Sequence, residues 1–314
     1  MRGRRVIWKM KYSSFSQIVE QCQAHERPRR VAVAGAAEEH VIRAVISAAQ
    51  EGIAVPVLVG DAARIRELLE QFGEDPEQYE IVHGRDSKDC GEKAVGLVRD
   101  GCAEFIMKGM AETRDVLKPL VKRENGMNTG RTMNIFSYNE VPQMSRLLAI
   151  SDGGMILYPT LEQKRDIILN AVDIFHRLGV ENPSIAVLAG VEKVNPKMPE
   201  TVDAAALEEM NRNGEIPGCE VVGPVSFDIA FSREIAERKG FQCPYCGDFD
   251  MVLVPNMSAG NLMHKAMILH GGTKMAGIVT GAKVPVVLTS RGASAEEKFV
   301  SMALASLVAG RGAL

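Results

Sequence analysis

Short runs of β-branched and small apolar residues alternate with amphipathic stretches from residue 31 almost to the end of the chain, and no other feature constrains the fold as strongly. Val31–Ala34 reads as a strand, followed by Gly35 and a helix over 38–50. Pro56–Val59 reads as the next strand, after which Asp61 caps a helix carrying Ile65, Leu68 and Leu69 on one face. Tyr79–Val82 and Phe105–Met107 continue the series, with Cys90–Arg99 as the helix between them. Nearly continuous apolar strands joined by helices have both faces covered, which implies a mostly parallel sheet.

The middle of the chain breaks this rhythm. Thr129–Tyr138 and Leu147–Leu157 read as longer, less regular strands with no clear helix between them. Leu161–Leu178 is a helix with Thr160 placed to cap it. Ile185–Leu188, Met251–Val254, Gly277–Val279 and Val286–Leu288 read as strands, and 202–212, 258–269 and 294–307 as helices. Ser294, with Glu297 three residues on, has the pattern of a capping box. The irregular stretch near 125–145 is the expected domain junction. The expected division is 1–138 with 280–314 as a first α/β domain and 139–279 as a second.

Charge and composition narrow the function. With 37 basic against 40 acidic side chains the net charge is -3, which argues against a nucleic-acid partner. No apolar run approaches the roughly 18–20 residues that span a bilayer, so no membrane association is expected. The basic start, Met1–Met10, lacks the apolar stretch of about 7–15 residues that a signal peptide carries, and Met10 is an alternative start. Six scattered cysteines do not make a disulfide framework in a chain of 314 residues, which points to a reducing, cytoplasmic setting.

Several familiar signatures are absent. Val31–Ala37 has the strand-turn-helix setting of a dinucleotide fingerprint but one glycine of three. Asn256-Met-Ser258-Ala-Gly260 misses the nucleophile elbow because Asn stands where Gly is required. Cys243-Pro-Tyr-Cys246 precedes a strand instead of opening a helix, so two loop thiols are the expected reading. The six histidines show no metal-ligand spacing and are expected mostly at the surface, so no metal is expected.

Two strand-turn-helix segments are better suited to anions. In Pro255–Lys265 a small-residue turn leads into a helix, whose free backbone N–H groups favour a phosphate, with Ser258, Gly260, Asn261 and Lys265 around it. In Leu288–Lys298, Arg291 leaves the carboxyl end of a strand beside a helix start, where its fork binds an oxyanion bidentately. Lys108 occupies a comparable place after 105–107. An ordinary cap or a solvated side chain stands as the alternative in each case.

Taken together these segments resemble the phosphate acetyl/butyryltransferase family, and more closely its phosphate butyryltransferase branch. The resemblance runs from about Val31 to Ala309. It is carried by Met107-Lys-Gly109, Leu161-Glu-Gln-Lys164, the Val191–Ala204 block with Glu-Lys-Val-Asn-Pro-Lys-Met-Pro at 192–199, the Pro255–Lys265 segment, and Gly281–Ser294. It implies a two-domain αβα architecture similar to isocitrate dehydrogenase, with the active site in the interdomain cleft. It implies the reaction acyl-CoA plus phosphate to acyl phosphate plus CoA through a ternary complex, with no bound cofactor and no metal, and a homo-oligomer. Ser290 and Arg291 match the family's Ser-Arg pair. Where acetyltransferases carry an Asp on the following helix, this sequence offers Glu297 with Glu296 beside it. Two adjacent acids on a helix point about 100° apart, so only one faces the site. Lys108, Ser258, Gly260, Asn261 and Lys265 are the positional choices for phosphate or CoA. Acetyl-type specificity, a non-catalytic CoA-binding regulator, and a nicotinamide-dependent dehydrogenase on the related fold are the competing readings.

Overall fold

The computed structural model describes residues 12–289 and 293–309. The expected extension over 1–9 and the Ser290–Arg291 pair lie outside the described residues. The chain divides into two compact units. Among the described residues the terminal unit comprises Phe15–Ser137 and those from Lys274 to Ala309, and the central unit comprises Tyr138–Thr273 with Tyr12–Ser14.

The terminal unit contains α1 (Phe15–Gln23), β1 (Arg29–Ala34), α2 (Glu39–Gln50), β2 (Ala54–Gly60), α3 (Ala62–Gln71), β3 (Glu80–His83), α4 (Ser87–Arg99), β4 (Phe105–Lys108) and α5 (Thr113–Val121). Its sheet runs in the order β3-β2-β1-β4 with every one of these pairs parallel. The inner residues explain why: Val31–Ala34, Val57–Val59 and Phe105–Met107 are all buried, so both faces of the sheet need helices over them. β5 (Asn134–Glu140) carries the chain from one unit to the other.

The central unit contains β6 (Leu148–Ser151), α6 (Leu161–Arg177), β7 (Ser184–Leu188), α7 (Pro199–Arg212), β8 (Glu220–Val225), α8 (Phe227–Phe231), α9 (Arg233–Arg238), β9 (Met251–Leu253) and α10 (Met257–Gly271). Its strands lie in the order β6-β9-β7-β8, again parallel. Arg146, just before β6, ties the strand starts together. Its guanidinium lies 2.8 Å from Asp250 and 3.0 Å from Asp248, and it donates to the Phe249 carbonyl. Asp250 also accepts from the backbone N–H and hydroxyl of Ser184 at 2.8 and 2.9 Å. This buried charge is therefore fully partnered, as its desolvation requires.

The chain returns to the terminal unit as β10 (Lys274–Thr280), β11 (Val286–Val287) and α11 (Ala295–Val308). β11 runs parallel to β4 and antiparallel to β10, with Val279 opposite Val286. Every residue of α11 from Val300 to Val308 is buried. Two of its small polar side chains find partners there: Ser301 Oγ accepts from Gly277 N at 3.0 Å, and Ser306 Oγ donates to Ile53 O at 3.0 Å.

Three local expectations change. The strand read over 129–138 starts at Asn134, because Gly130 takes φ 86° in a turn whose N–H bonds Asn128 Oδ1 at 2.6 Å. The strand read over 147–157 ends at Ser151, where Asp152 Oδ1 accepts from Gly154 N at 2.7 Å and Met155 N at 2.8 Å. Such an Asx turn stops a strand. The reciprocal capping box occurs at Thr160 and Gln163. At Ser294 only one half forms, Glu297 N donating to Ser294 Oγ at 3.0 Å.

Candidate functional site

The start of α11 separates the two adjacent acids. Glu296 points into solvent and pairs with Lys274 on β10 at 2.7 Å, both side chains being more than half exposed. Glu297 is half-buried, one turn into the helix, with no ion pair among the described residues. Burial pushes its carboxyl pKa above the ordinary value, and the neighbouring Lys298 charge only partly offsets that. A carboxyl group held this way is poised to exchange a proton at higher pH than a surface Glu. Of the two acids, Glu297 has the environment of a proton acceptor and Glu296 that of a surface ion pair.

The start of α10 is less open to an anion than its sequence implies. Asn256, which spoils the nucleophile elbow, is the N-cap, and its Oδ1 accepts from Ala259 N at 3.0 Å. Met257 N donates to Leu157 O at 3.2 Å, and Gly260 N to Asn256 O at 3.1 Å. Three early amides are thus committed within the protein, and an anion would have to rely on the Ser258 amide and on side chains. Ser258 and Lys265 lie seven residues apart on the exposed face of the helix. Asn261 turns inward enough to donate from Nδ2 to Gly153 O at 3.3 Å. Gly260 is a packing residue: a Cβ there would lie 2.7 Å from Val254 Cγ2 and 2.8 Å from Gly153 Cα. On the same buried face His264 is held as the neutral imidazole, its pKa pushed down to about 4 by burial, while four of the six histidines are exposed as expected.

Lys108 ends β4 where the strand order of the terminal unit reverses, between β1 and β4. Ligands of open α/β sheets gather at such points. Here the backbone itself closes in. Gly109 N donates to Ala34 O at 2.8 Å and Met110 N to Gly35 O at 2.9 Å. A Cβ on Gly109 would meet Gly35 O at 2.3 Å, so only glycine allows this approach. Lys108 Nζ donates to Gly109 O at 3.1 Å and Ala111 O at 3.3 Å, holding its own loop. Along the same edge Glu38, Asp61 and Asp86 already cap α2, α3 and α4 with carboxylates. Anionic caps disfavour a second anion there, which agrees with the missing dinucleotide glycines.

The second of the two loop thiols is not activated. Cys246 is buried, and burial, reinforced by Cys243, pushes its pKa up to about 12. A redox-active thiol needs the opposite shift. Among the described residues no group of three or more His, Cys, Asp or Glu is placed to hold a metal, and no helix is long and apolar enough to cross a membrane.

Sequence reasoning missed two charged clusters. Lys164, in the Leu161-Glu-Gln-Lys164 block, is buried and pairs with Asp203 of α7 at 2.7 Å. Glu192, Ser226, Asp228 and Lys239 form a network beyond β7 and β8, with Lys239 Nζ 2.8 Å from Glu192 and 2.9 Å from Asp228. The motif blocks at 161–164 and 191–204 hold both halves of the first cluster, Lys164 and Asp203, without showing that they meet, and only Glu192 of the second. The partners of Glu192 lie tens of residues away.

Comparison with known proteins adds four findings. The family model described as "Phosphate acetyl/butaryl transferase" matches residues 13–95 and 87–306. The phosphate butyryltransferase of Clostridium acetobutylicum is 42% identical over 297 residues, covering 95% of this chain and 98% of the relative. The phosphate acetyltransferase of Thermotoga maritima is 40% identical over 286 residues, covering 91% and 97%. A solved branched-chain phosphotransacylase from Enterococcus faecalis superposes with a TM-score of 0.78 at 30% identity, over 89% of this chain and 98% of that one.

Proposed function

The chain belongs to the phosphate acetyl/butaryl transferase family, and on that premise we propose that it moves a short-chain acyl group between CoA and inorganic phosphate, with butyryl-CoA plus phosphate giving butyryl phosphate plus CoA. CoA enters as a substrate, and the reading calls for no bound cofactor or metal. It carries with it a cytoplasmic setting, which six free thiols suit, and a homo-oligomer.

The observation that carries the mechanism is the environment of Glu297, a half-buried carboxyl with a raised pKa a short distance along the chain from Ser290 and Arg291. A phosphate oxygen attacks the thioester carbonyl carbon. Negative charge builds on the carbonyl oxygen and then passes to the departing sulfur. Arg291 is assigned to hold phosphate or neutralise that oxyanion, the kind of preorganised stabilisation that contributes most to acyl transfer. Ser290 is assigned to hydrogen-bond the thiolate. A CoA thiol has a pKa of about 8.5, so in the reverse direction Glu297 accepts its proton as the sulfur attacks acyl phosphate. Lys108, Ser258, Asn261 and Lys265 are the proposed phosphate or CoA contacts. Gly260 serves by letting α10 approach the 152–154 turn.

The test is CoA release from butyryl-CoA with and without phosphate, followed with a thiol reagent, in the wild type and in Arg291→Ala. Phosphate-dependent release that the substitution lowers by at least two orders of magnitude, at unchanged folding stability, supports the assignment. Intact turnover in the variant removes Arg291 from it.

A further inference from the structure

Cys243-Pro-Tyr-Cys246 has no part in the acyl-transfer reading, yet the structure gives it a defined shape. The four residues form a hydrogen-bonded turn in the central unit, Cys246 N donating to Cys243 O at 3.4 Å. Proline suits the second place of such a turn because its ring fixes φ near the value required. The first and last Cα atoms of a turn lie within about 7 Å, which overlaps the separation of about 4.4–6.8 Å at which a disulfide closes. Both side chains meet one apolar cluster. Cys246 is buried in it with Ala230, Ala236 and Phe249, and Cys243 packs against it.

The turn is held in place from outside. Arg233, the first residue of α9, donates from Nη2 to Pro244 O and from Nε to Cys246 O, both at 3.5 Å. Gly247 takes φ 73° and donates from its N–H to Ala230 O at 3.1 Å. A Cβ there would lie 2.8 Å from Arg233 N. The turn is thus clamped to the corner between α8 and α9 with its two sulfurs on one side. Joining them asks for side-chain rotation and no backbone movement.

The two thiols have unequal environments. Cys243 is half-buried, whereas Cys246 is 2% exposed. Burial, together with the charge and the hydrogen bond of Cys243, keeps the proton on Cys246. An oxidant arriving from solvent therefore meets Cys243 first. Converting its sulfur to a neutral sulfenic acid removes the charge that helps to hold the Cys246 proton, and the nearby Arg233 favours releasing it. An accessible thiol beside a second one that resolves its sulfenic acid is the arrangement that reversible oxidation needs.

We propose that Cys243 and Cys246 form a reversible oxidation site, which a peroxide converts into an intramolecular disulfide. The proposal does not rest on the acyl-transfer reading. In the first step the Cys243 thiolate attacks hydrogen peroxide: an S–O bond forms, the O–O bond breaks, the sulfur gives up two electrons, and hydroxide leaves. In the second step the Cys246 sulfur attacks the sulfenic sulfur: the S–S bond forms, the S–O bond breaks, and the departing hydroxide takes the Cys246 proton as water. Two thiols and one peroxide give one disulfide and two waters. In a reducing compartment such a pair rests as free thiols and closes transiently.

The test treats the reduced full chain with hydrogen peroxide, alkylates the remaining thiols after denaturation, and weighs the tryptic peptide Gly240–Lys265, which contains Cys243 and Cys246 and no other cysteine. The exposed Cys102 reports that peroxide reached the protein. The expected peptide carries no alkyl group and is lighter by two hydrogens than its reduced form, and dithiothreitol restores both alkylation sites. Cys246→Ser is expected to lose the disulfide and to capture dimedone at Cys243, where the sulfenic acid now persists. Both cysteines alkylated in the wild type after a dose that oxidises Cys102 overturns the proposal. So does wild-type Cys243 carried to the sulfinic or sulfonic acid with no disulfide formed.

Discussion

Gly260→Ala and Gly96→Ala are the same chemical change in two helices, and the structure assigns them opposite signs. In an exposed helix interior, replacing Gly by Ala gains up to about 1 kcal/mol from backbone entropy and helix propensity. Gly96 in α4 has open space: the nearest atom to a new Cβ is an Arg99 guanidinium nitrogen at 3.9 Å. That substitution therefore keeps the full gain of about 0.5–1 kcal/mol. Gly260 in α10 does not. Its Cβ would lie 2.7 Å from Val254 Cγ2, 2.8 Å from Gly153 Cα and 3.3 Å from Asp152 O. A stiff β-branched side chain and two backbone atoms cannot swing away, so α10 must move off the 152–154 turn. Overpacking of this kind costs about 1–3 kcal/mol, which outweighs the propensity gain. Urea denaturation of the three proteins reads this as midpoints shifted down for Gly260→Ala and up for Gly96→Ala at constant slope. A Gly260→Ala protein as stable as wild type, or more so, refutes the packing role of Gly260. With it goes the argument that α10 is positioned by backbone contact.

Three further outcomes follow from the charges. Glu297→Gln lowers kcat/KM by about 10²- to 10⁴-fold, whereas Glu296→Gln, which breaks only a surface pair, changes it little. The wild-type profile loses activity as pH falls through the raised Glu297 pKa, and the Gln variant lacks that limb; equal effects of the two substitutions would contradict the assignment. His264 titrates near 4 when folded against about 6.5 unfolded, so the native state binds fewer protons between those values. Its contribution to stability is complete above pH 6.5, is lost as pH falls toward 4, and amounts to about 3 kcal/mol. His264→Gln should flatten stability against pH in that window, and an unchanged slope would contradict the buried neutral imidazole. Arg146→Ala strands Asp250 and Asp248 and should cost about 3–5 kcal/mol, read by the same denaturation assay; a loss under 1 kcal/mol would show the cluster to be hydrated.

Much of the architecture was legible because local pattern and tertiary role agree. Val31–Ala34, Val57–Val59 and Phe105–Met107 are apolar on both faces and lie in the interior of a parallel sheet. Elements that went unread contain residues that speak against them locally. α5 has Pro119 inside its last turn, and β8 carries Gly223 and Pro224. In both, packing overrides propensity. The site divides the same way. That Glu296 or Glu297 faces inward follows from helix geometry, but choosing between them required Lys274 of β10, twenty-two residues earlier. The weak anion capacity of the α10 start was hidden because Leu157 O satisfies Met257 N from a hundred residues upstream. The charged network beyond β7 and β8 was hidden because Glu192 sits in a recognisable block while Ser226, Asp228 and Lys239 do not.

The central claim is that phosphate, not water, receives the acyl group. The most direct measurement incubates the protein with butyryl-CoA and phosphate, traps acyl phosphate with hydroxylamine, and compares it mole for mole with the free thiol released. The account predicts one acyl hydroxamate per CoA and no CoA release when phosphate is omitted. CoA released without phosphate, with free butyrate in place of the hydroxamate, would contradict it and make the protein a thioesterase.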